Sequence, residues 1–541
     1  MDNLATPSAH GAFLPPGTVY LTTHETATET SRFVLSPVPS IDPNEPLNWS
    51  KWRKYLNYSL TMGVTVSAFT NLSIQTVFWQ QMTADLGVTV EQLSNAQSAQ
   101  LAGLATGCVF FIPFAVKYGR RPAYLASTAV LAAAAWWTSA MRAYPELIAT
   151  AVVTGLAGAV NETAVQMTIA DLFFVHQRGS ANGIYFIAVM TGSFLTPLAA
   201  GVQAAGQGWR WSYYALSIAL TVLFVVFVFL YEETKYVPPV SLGRNAESVI
   251  DSGTPEGPEK NSSNKTEITE KHGFEPRHSQ SNTPIDQNTH INTYRERLRL
   301  LTPTPESLMN IFLLPLRAIA LPHVAFTALQ FASGVCWLVL YMSVSSVVFS
   351  APPYSFDTAA VGYMTLGPFV GNILGSLYGG PLADRTILWL ARRNGGLFEP
   401  EMRLYPLFLP VVAMAGGIVM FGATADRGMH WIYPSIGGAL FAFGLGANGD
   451  ITFTLLIDAY RELTAEVFVS VAFVRNAVSV GVPSALVPWM SSMGLGRMYI
   501  MSGGISLAIG LLYIPMIIWG KKIRNALAPR YWRLVERRVK V

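Results

Sequence analysis

Charge is scarce in this chain. Only 13% of its 541 residues are Asp, Glu, Lys or Arg, about half the share found in ordinary soluble domains. With 51% hydrophobic residues beside it, that scarcity excludes a normal water-facing surface. Cysteine is nearly absent as well. The two present, Cys108 and Cys336, lie within apolar runs, which excludes a disulfide framework and leaves both as small packing residues. The eight histidines are scattered, so no ligand cluster for membrane-bound iron chemistry forms, and no Glu-x-x-His pattern falls on an apolar run. Gly-x-Ser-x-Gly and a Walker loop are both missing, which argues against a hydrolase and an ATP-driven pump. The first fifty residues hold no short apolar core followed by a cleavage site, so no cleaved leader is expected.

What the chain has in abundance is long apolar runs. They cover approximately 55–79, 93–115, 122–141, 147–170, 180–205, 210–230, 319–349, 359–381, 404–423, 431–457, 465–490 and 498–519. Each is about twenty residues or more, enough for a helix to cross a hydrocarbon layer of about 30 Å. The expected fold is therefore an all-α integral membrane protein of twelve transmembrane helices, arranged as two six-helix bundles. The expected organisation is a tail over 1–54, a first bundle over 55–231, and a linker over 232–318. A second bundle follows over 319–520, then a basic tail over 521–541. Residues 240–295 are rich in Ser, Asn, Thr, Glu and Pro and nearly free of aromatics, so the linker is expected to be largely disordered.

Charge placement sets the expected orientation. Lys51, Arg53, Lys54, Lys117, Arg120, Arg121, Arg178, Arg385, Arg392, Arg393, Arg403, Arg461, Lys521, Lys522 and Arg524 fall on one side of the spans. Only Arg142, Arg210, Arg427 and Arg497 fall on the other. The bias puts both termini and the linker in the cytoplasm. A weak internal repeat supports duplication: aligning Asp171 after span 4 with Asp458 after span 10 also aligns Asn161 with Asn448.

Two loops carry a signature. Lys117-Tyr118-Gly119-Arg120-Arg121-Pro122 joins spans 2 and 3, and Gly380-Pro381-Leu382-Ala383-Asp384-Arg385 follows span 8. They resemble the paired loops of the major facilitator superfamily, although Val116 stands where the first copy normally has Asp. Span 5 carries Gly183, Gly192, Thr196, Pro197, Ala200 and Gly201. These match the spacing Gly-x8-Gly-x3-Gly-Pro-x2-Gly-Gly of the drug:proton antiporters in that superfamily, with Thr196 and Ala200 as departures. Asp42-Pro43-Asn44, Asp171-Leu172-Phe173-Phe174 and Asp458-Ala459-Tyr460-Arg461 are similar to a fungal subgroup of the twelve-span family that includes polyamine and cation carriers. The resemblance implies a secondary active transporter, not an enzyme, that needs no cofactor and draws on a proton gradient. It further implies cytoplasmic gates at Asp171 with Arg178 and at Asp458 with Arg461.

Charges within the apolar runs need a reason, because each costs about 2.5–3.5 kcal/mol at the bilayer centre. Glu162, Asp450 and Arg475 are the candidates for proton or cation coupling. Asp450 and Arg475 fall at similar depths on adjacent antiparallel spans, where an ion pair between them is expected. Glu162 lacks a basic neighbour in its own half, which makes it the leading proton site. Asn71, Gln75, Gln166, Gln330, Trp337, Tyr341 and Asn448 are the expected cavity lining. The expected function is proton-coupled efflux of a small organic compound (a drug, toxin or secondary metabolite). Uptake of a polyamine or other organic cation is the alternative. The expected partners are the lipid bilayer and that small substrate, with no nucleic acid; a monomer in the plasma membrane is expected, with the vacuolar membrane as the alternative.

Overall fold

The computed structural model describes residues 17–20, 42–236, 290–304, 307–395 and 397–539. Helices occupy all twelve predicted places. In the first half these are span 1 (Lys51–Ser73), span 2 (Val90–Tyr118), span 3 (Arg120–Ala140) and span 4 (Tyr144–Leu172). Span 5 runs from Val175–Met190 through Thr191–Leu195 to Thr196–Gln207, and span 6 is Trp209–Leu230. In the second half, span 7 is Pro322–Ser350, and span 8 is the interrupted series Thr358–Tyr363, Leu366–Leu377, Tyr378–Leu382 and Ala383–Arg393. Span 9 (Phe408–Asp426), span 10 (Ile432–Ala459) and span 11 (Thr464–Ser479, then Gly481–Met493) follow. Span 12 is Leu495–Gly510, continued by Tyr513–Val539.

Among the described residues, nine of these are long and apolar enough to cross a membrane by length and composition; spans 1, 3 and 8 fall outside that set. Span 1 is polar, and its threonines meet part of that cost within the helix. Thr61, Thr65 and Thr70 donate to the carbonyls four residues back at 3.0, 2.9 and 2.7 Å, so the hydroxyls are satisfied inside their own helix.

Small residues set the closest helix seams. A methyl group placed on Gly103 or Gly107 of span 2 would stand 2.5 Å from the carbonyl oxygens of Val152 and Leu156 on span 4. In the other half, Gly367, Gly371, Gly375 and Gly379 of span 8 face Ser435, Ala439, Phe443 and Ala447 of span 10. Spans 2 and 4 correspond to spans 8 and 10 under the duplication. The repeat is thus plainer in these glycine seams than in the Asn and Asp alignment, because backbone approach without a Cβ is what lets lipid-embedded helices gain contact.

Span 5 changes register at Thr191–Leu195, a π-turn in which the Thr196 amide donates to the Thr191 carbonyl. Pro197 has no N–H to offer the carbonyl four residues before it, and the wider turn accommodates that loss. Span 8 has a matching π-turn at Tyr378–Leu382, containing Pro381.

The two halves are fastened to each other on the face opposite the chain ends. Ser343 on span 7 donates to Gln97 Oε1 on span 2 at 2.7 Å, and Ser484 on span 11 donates to Ser98 at 2.7 Å. Thr365 on span 8 donates to the Phe194 carbonyl on span 5 at 2.8 Å.

On the face carrying the chain ends, the described part of the linker packs on the helix ends. Residues 290–304 and 307–318 include a short helix, Tyr294–Arg297, and an apolar helix, Leu308–Ala318. Lys235 donates to the carbonyls of Lys117 and Thr302 at 2.6 and 2.8 Å. The composition-based expectation of disorder over 240–295 falls almost entirely outside the described residues. A two-stranded antiparallel patch, β1 (Val19–Tyr20) with β2 (Leu397–Phe398), lies outside the helical bundles.

Candidate functional site

A cavity of about 200 Å³ lies between the halves, with walls from both. Span 2 supplies Gln97 and Gln100, span 4 supplies Glu162 and Gln166, and span 5 supplies Tyr185 and Phe186. From the second half come Phe331 and Met342 on span 7, Asn372 and Ser376 on span 8, Asp450 and Phe453 on span 10, and Phe468, Arg475 and Asn476 on span 11. The walls are mainly apolar and aromatic, with a few polar groups converging on them, as suits a small organic ligand.

Of the seven residues predicted to line the cavity, Gln166 does so. Gln330, Trp337 and Tyr341 instead point into the second bundle. Gln330 donates to the Ile509 carbonyl at 2.7 Å, Trp337 to Ser333 at 2.9 Å, and Tyr341 packs 4.6 Å from Phe421 between ring centres. Asn448 donates to Gln330 at 3.3 Å within the same bundle. Asn71 on span 1 and Gln75 in the turn Ile74–Phe78 that follows it are buried, while their neighbours Leu72, Ser73 and Thr76 reach the cavity. The reason is helical phase. On span 7 the lining stripe is Phe331, Val335, Leu338, Val339 and Met342, and a residue one position away is rotated about 100° from it.

The charged groups are arranged differently from the sequence expectation. Glu162 is not alone: Arg475 of the other half forms an ion pair with it, and Asn476 Nδ2 donates to the same carboxylate at 2.8 Å. Their side chains are 5% and 12% exposed for Glu162 and Arg475, so the pair is largely removed from solvent. The predicted Asp450–Arg475 pair does not form. Asp450 instead has the Ser376 hydroxyl as a hydrogen-bond partner and no ion pair among the described residues. Arg475 also lies over the Phe331 ring, 5.1 Å from its centre.

At the chain-end face, Asp458 holds another arginine than the expected Arg461, and the expected Asp171–Arg178 pair falls outside the described residues. Asp171 accepts from Arg120 at 3.1 Å; the side chain of Arg178 lies outside the described residues. Asp458 pairs with Arg403, which also reaches Asp384 at 3.0 Å. Arg461 and Arg385 are exposed. Asp171 and Asp458 thus take arginines from corresponding loops, the one after span 2 and the one after span 8. Gly119 adopts φ 123°, and the Glu233 carboxylate occupies the space beside it. Glu233 accepts from the amides of Arg120 at 2.9 Å and Arg121 at 3.1 Å, which open span 3. Burial pushes the Glu233 carboxyl up, while the amides of Lys235, Arg120 and Arg121 pull it down. Arg121 donates to the carbonyls of Tyr231 and Val228 at 2.8 and 2.7 Å. The loop is a fastener between helix ends.

A family model described as Major Facilitator Superfamily matches residues 60–483. The chain belongs to that superfamily. Its relatives among known proteins are fungal. An MFS-type transporter of Schizosaccharomyces pombe is 29% identical, covering 94% of this chain and 91% of its own. Protein HOL1 of Saccharomyces cerevisiae is 25% identical, with 91% and 90% covered. The MFS transporter cpaT of Aspergillus oryzae is 27% identical, with 89% and 90% covered. Among solved structures, the proton:xylose symporter XylE bound to 6-bromo-6-deoxy-D-glucose superposes with a TM-score of 0.55 at 13% identity. It covers 87% of this chain and 97% of that one. The chain is thus a multi-pass membrane transporter of the major facilitator fold.

Within this superfamily member, the span 5 motif divides into two kinds of position. Gly192 and Gly201 are required by backbone approach: added methyls would meet the Val66 carbonyl of span 1 at 2.6 Å and the Thr358 carbonyl of span 8 at 2.8 Å. Ala200 is buried, and Thr196 shares its hydroxyl with Thr70 at 2.8 Å and the Gly192 carbonyl at 2.6 Å. Gly183 has nothing within 4 Å of an added methyl, so close packing does not explain it.

Proposed function

We propose that this chain is a proton-coupled exporter of a small organic compound, a drug, toxin or secondary metabolite. It works by alternating access, with both termini in the cytoplasm and the plasma membrane as its site. The observation that carries the reading is the cavity shared by both halves, aromatic on its walls, with Asp450 on one of them. The antiporter-type spacing on span 5, with Gly192 and Gly201 at close backbone approaches, supports the export direction. Asp450 takes over the coupling role first given to Glu162. Glu162 has its charge balanced by Arg475, whereas Asp450 offers the cavity a carboxylate with the Ser376 hydroxyl as its partner and no ion pair among the described residues. Loading a proton there, with substrate leaving, and releasing it on the other side would couple the two flows.

Asp450→Asn keeps the size of the side chain and fixes it neutral. In proteoliposomes with an imposed pH gradient, the variant is expected to lose gradient-driven transport. It should keep exchange of labelled for unlabelled substrate at equal pH. Gradient-driven transport at the wild-type rate would remove Asp450 from the coupling step.

A second reading rests on the same carboxylate. An acid beside Tyr185, Phe331 and Phe453 also suits an organic cation such as a polyamine, taken up with the proton. The direction of substrate movement under an inward proton gradient separates the two: outward for export, inward for uptake.

A further inference from the structure

Two of the amide side chains that line the cavity are committed inside the protein. Gln97 Oε1 accepts from Ser343 at 2.7 Å, and Asn476 Nδ2 donates to Glu162 at 2.8 Å. Asn372 on span 8 is different. It lines the cavity and is 1% exposed, yet neither its Oδ1 nor its Nδ2 has a hydrogen-bond partner among the described residues. No other amide side chain among them leaves both atoms buried and unmet. Such a pair is costly, because each atom has given up its hydration and received nothing for it.

The surrounding helices hold the side chain in that place. Methyl groups added to Gly371 and Gly375 of span 8 would run into the carbonyl oxygens of Ala439 and Phe443, so span 8 is pressed onto span 10 on both sides of Asn372. Gly446 of span 10 also lines the cavity, and a methyl on it would stand 2.9 Å from Asn372 Oδ1. Its missing side chain is the space that the amide fills. One turn further along both helices, Ser376 hydrogen-bonds to Asp450.

We propose that Asn372 is a specificity residue of the cavity and reads a lactam, imide or primary carboxamide on the substrate. Its Nδ2 donates to the ligand carbonyl, and its Oδ1 accepts from the ligand N–H. The proposal rests on the transporter reading above and names a substrate class for it. The class follows from what satisfies both atoms at once. A ketone, ester or carboxylate only accepts and leaves Oδ1 bare, whereas an ammonium only donates and leaves Nδ2 bare. A single hydroxyl meets both only through bent bonds. An open-chain secondary amide carries both groups but holds them on opposite sides of its trans bond. A ring amide or a primary carboxamide presents N–H and C=O on one edge, which matches the planar fork of asparagine. The aromatic walls, Phe331 and Phe453 among them, take the apolar remainder of the molecule.

Three bicyclic probes of nearly one shape test this. They are the lactam 2-quinolinone, its lactone counterpart coumarin, and 1-methyl-2-quinolinone, whose N–H is blocked. Each is titrated calorimetrically into the full-length protein in lipid nanodiscs, with empty nanodiscs as the blank. The unaltered protein should bind 2-quinolinone at least about tenfold more tightly than either of the others, since each of those leaves a buried atom unpaired. Asn372→Leu keeps the bulk of the side chain and removes both orphan atoms. It should bind the three probes within about threefold of one another and melt no lower than its parent. Equal binding of the three by the unaltered protein, or no binding of 2-quinolinone, would overturn the proposal. A lactam preference that survives in Asn372→Leu would do the same. So would a large fall in that variant's melting temperature, which would make the amide a structural group. The measurement uses no proton gradient. If Asp450→Asn keeps gradient-driven transport while the lactam preference holds, the coupling assignment falls and the recognition by Asn372 stands; the reverse pattern removes Asn372 alone.

Discussion

Gly107→Ala tests the seam that positions the ion pair. A methyl at Gly107 would stand 2.5 Å from the Leu156 carbonyl oxygen, 2.7 Å from the Ala159 Cβ and 3.1 Å from the Leu156 Cα. Two of these are backbone atoms that no rotamer change can move. Spans 2 and 4 must therefore part by about 0.9 Å before the closest contact becomes ordinary, and overpacking of this kind costs about 1–3 kcal/mol. Alanine also gains about 1 kcal/mol over glycine in a helix interior, which partly hides the penalty. Gly416→Ala, on span 9 with nothing within 4 Å of the added methyl, supplies the reference because it carries the helix gain without the clash. The quantity to measure is the difference between the two variants in unfolding free energy, from titration with a denaturing detergent in mixed micelles. Gly107→Ala should lie below Gly416→Ala by about 1–3 kcal/mol. Transport should fall with it, because Cys108 is the next residue on span 2 and Glu162 lies one helical turn beyond Ala159 on span 4. Equal stability of the two variants would refute the close-approach argument, and with it the seam as the element that sets the depth of Glu162.

Two further outcomes follow from buried contacts. Arg524 is essentially unexposed and donates to both Glu401 oxygens, at 3.1 and 2.8 Å, and to Thr18 at 2.8 Å. Arg524→Ala leaves Glu401 buried with His323 as its remaining charge partner among the described residues and should cost about 3–5 kcal/mol, read as a large drop in the melting temperature of purified protein. Gln166→Ala and Gln330→Ala should separate cavity from core: the first raises the substrate KM with little change in melting temperature, the second lowers the melting temperature and leaves KM near wild type. The opposite assignment of effects would show that the lining stripe of span 7 has been placed on the wrong face.

The helical membrane fold, nine of its long apolar spans and the superfamily were legible in the amino-acid sequence. Hydropathy and loop signatures are local properties, and a run such as 210–230 or a turn such as Gly119-Arg120-Arg121 carries its meaning without neighbours. The intramembrane charges were legible too, since burying Glu162, Asp450 or Arg475 always demands a reason. Their partners were not. Glu162 looked solitary because its counter-charge, Arg475, lies more than three hundred residues away on the opposite bundle. Asp450 looked paired because depth along adjacent spans says nothing of rotation about each helix axis. The same rotation turned Gln330, Trp337 and Tyr341 into the second bundle and brought Phe331 and Met342 to the cavity instead. A helix that is apolar all round hides which side meets its neighbours. Only the packing of the helices against one another, set by seams like Gly107 against Leu156, decided which polar groups face the cavity and which hold the halves together.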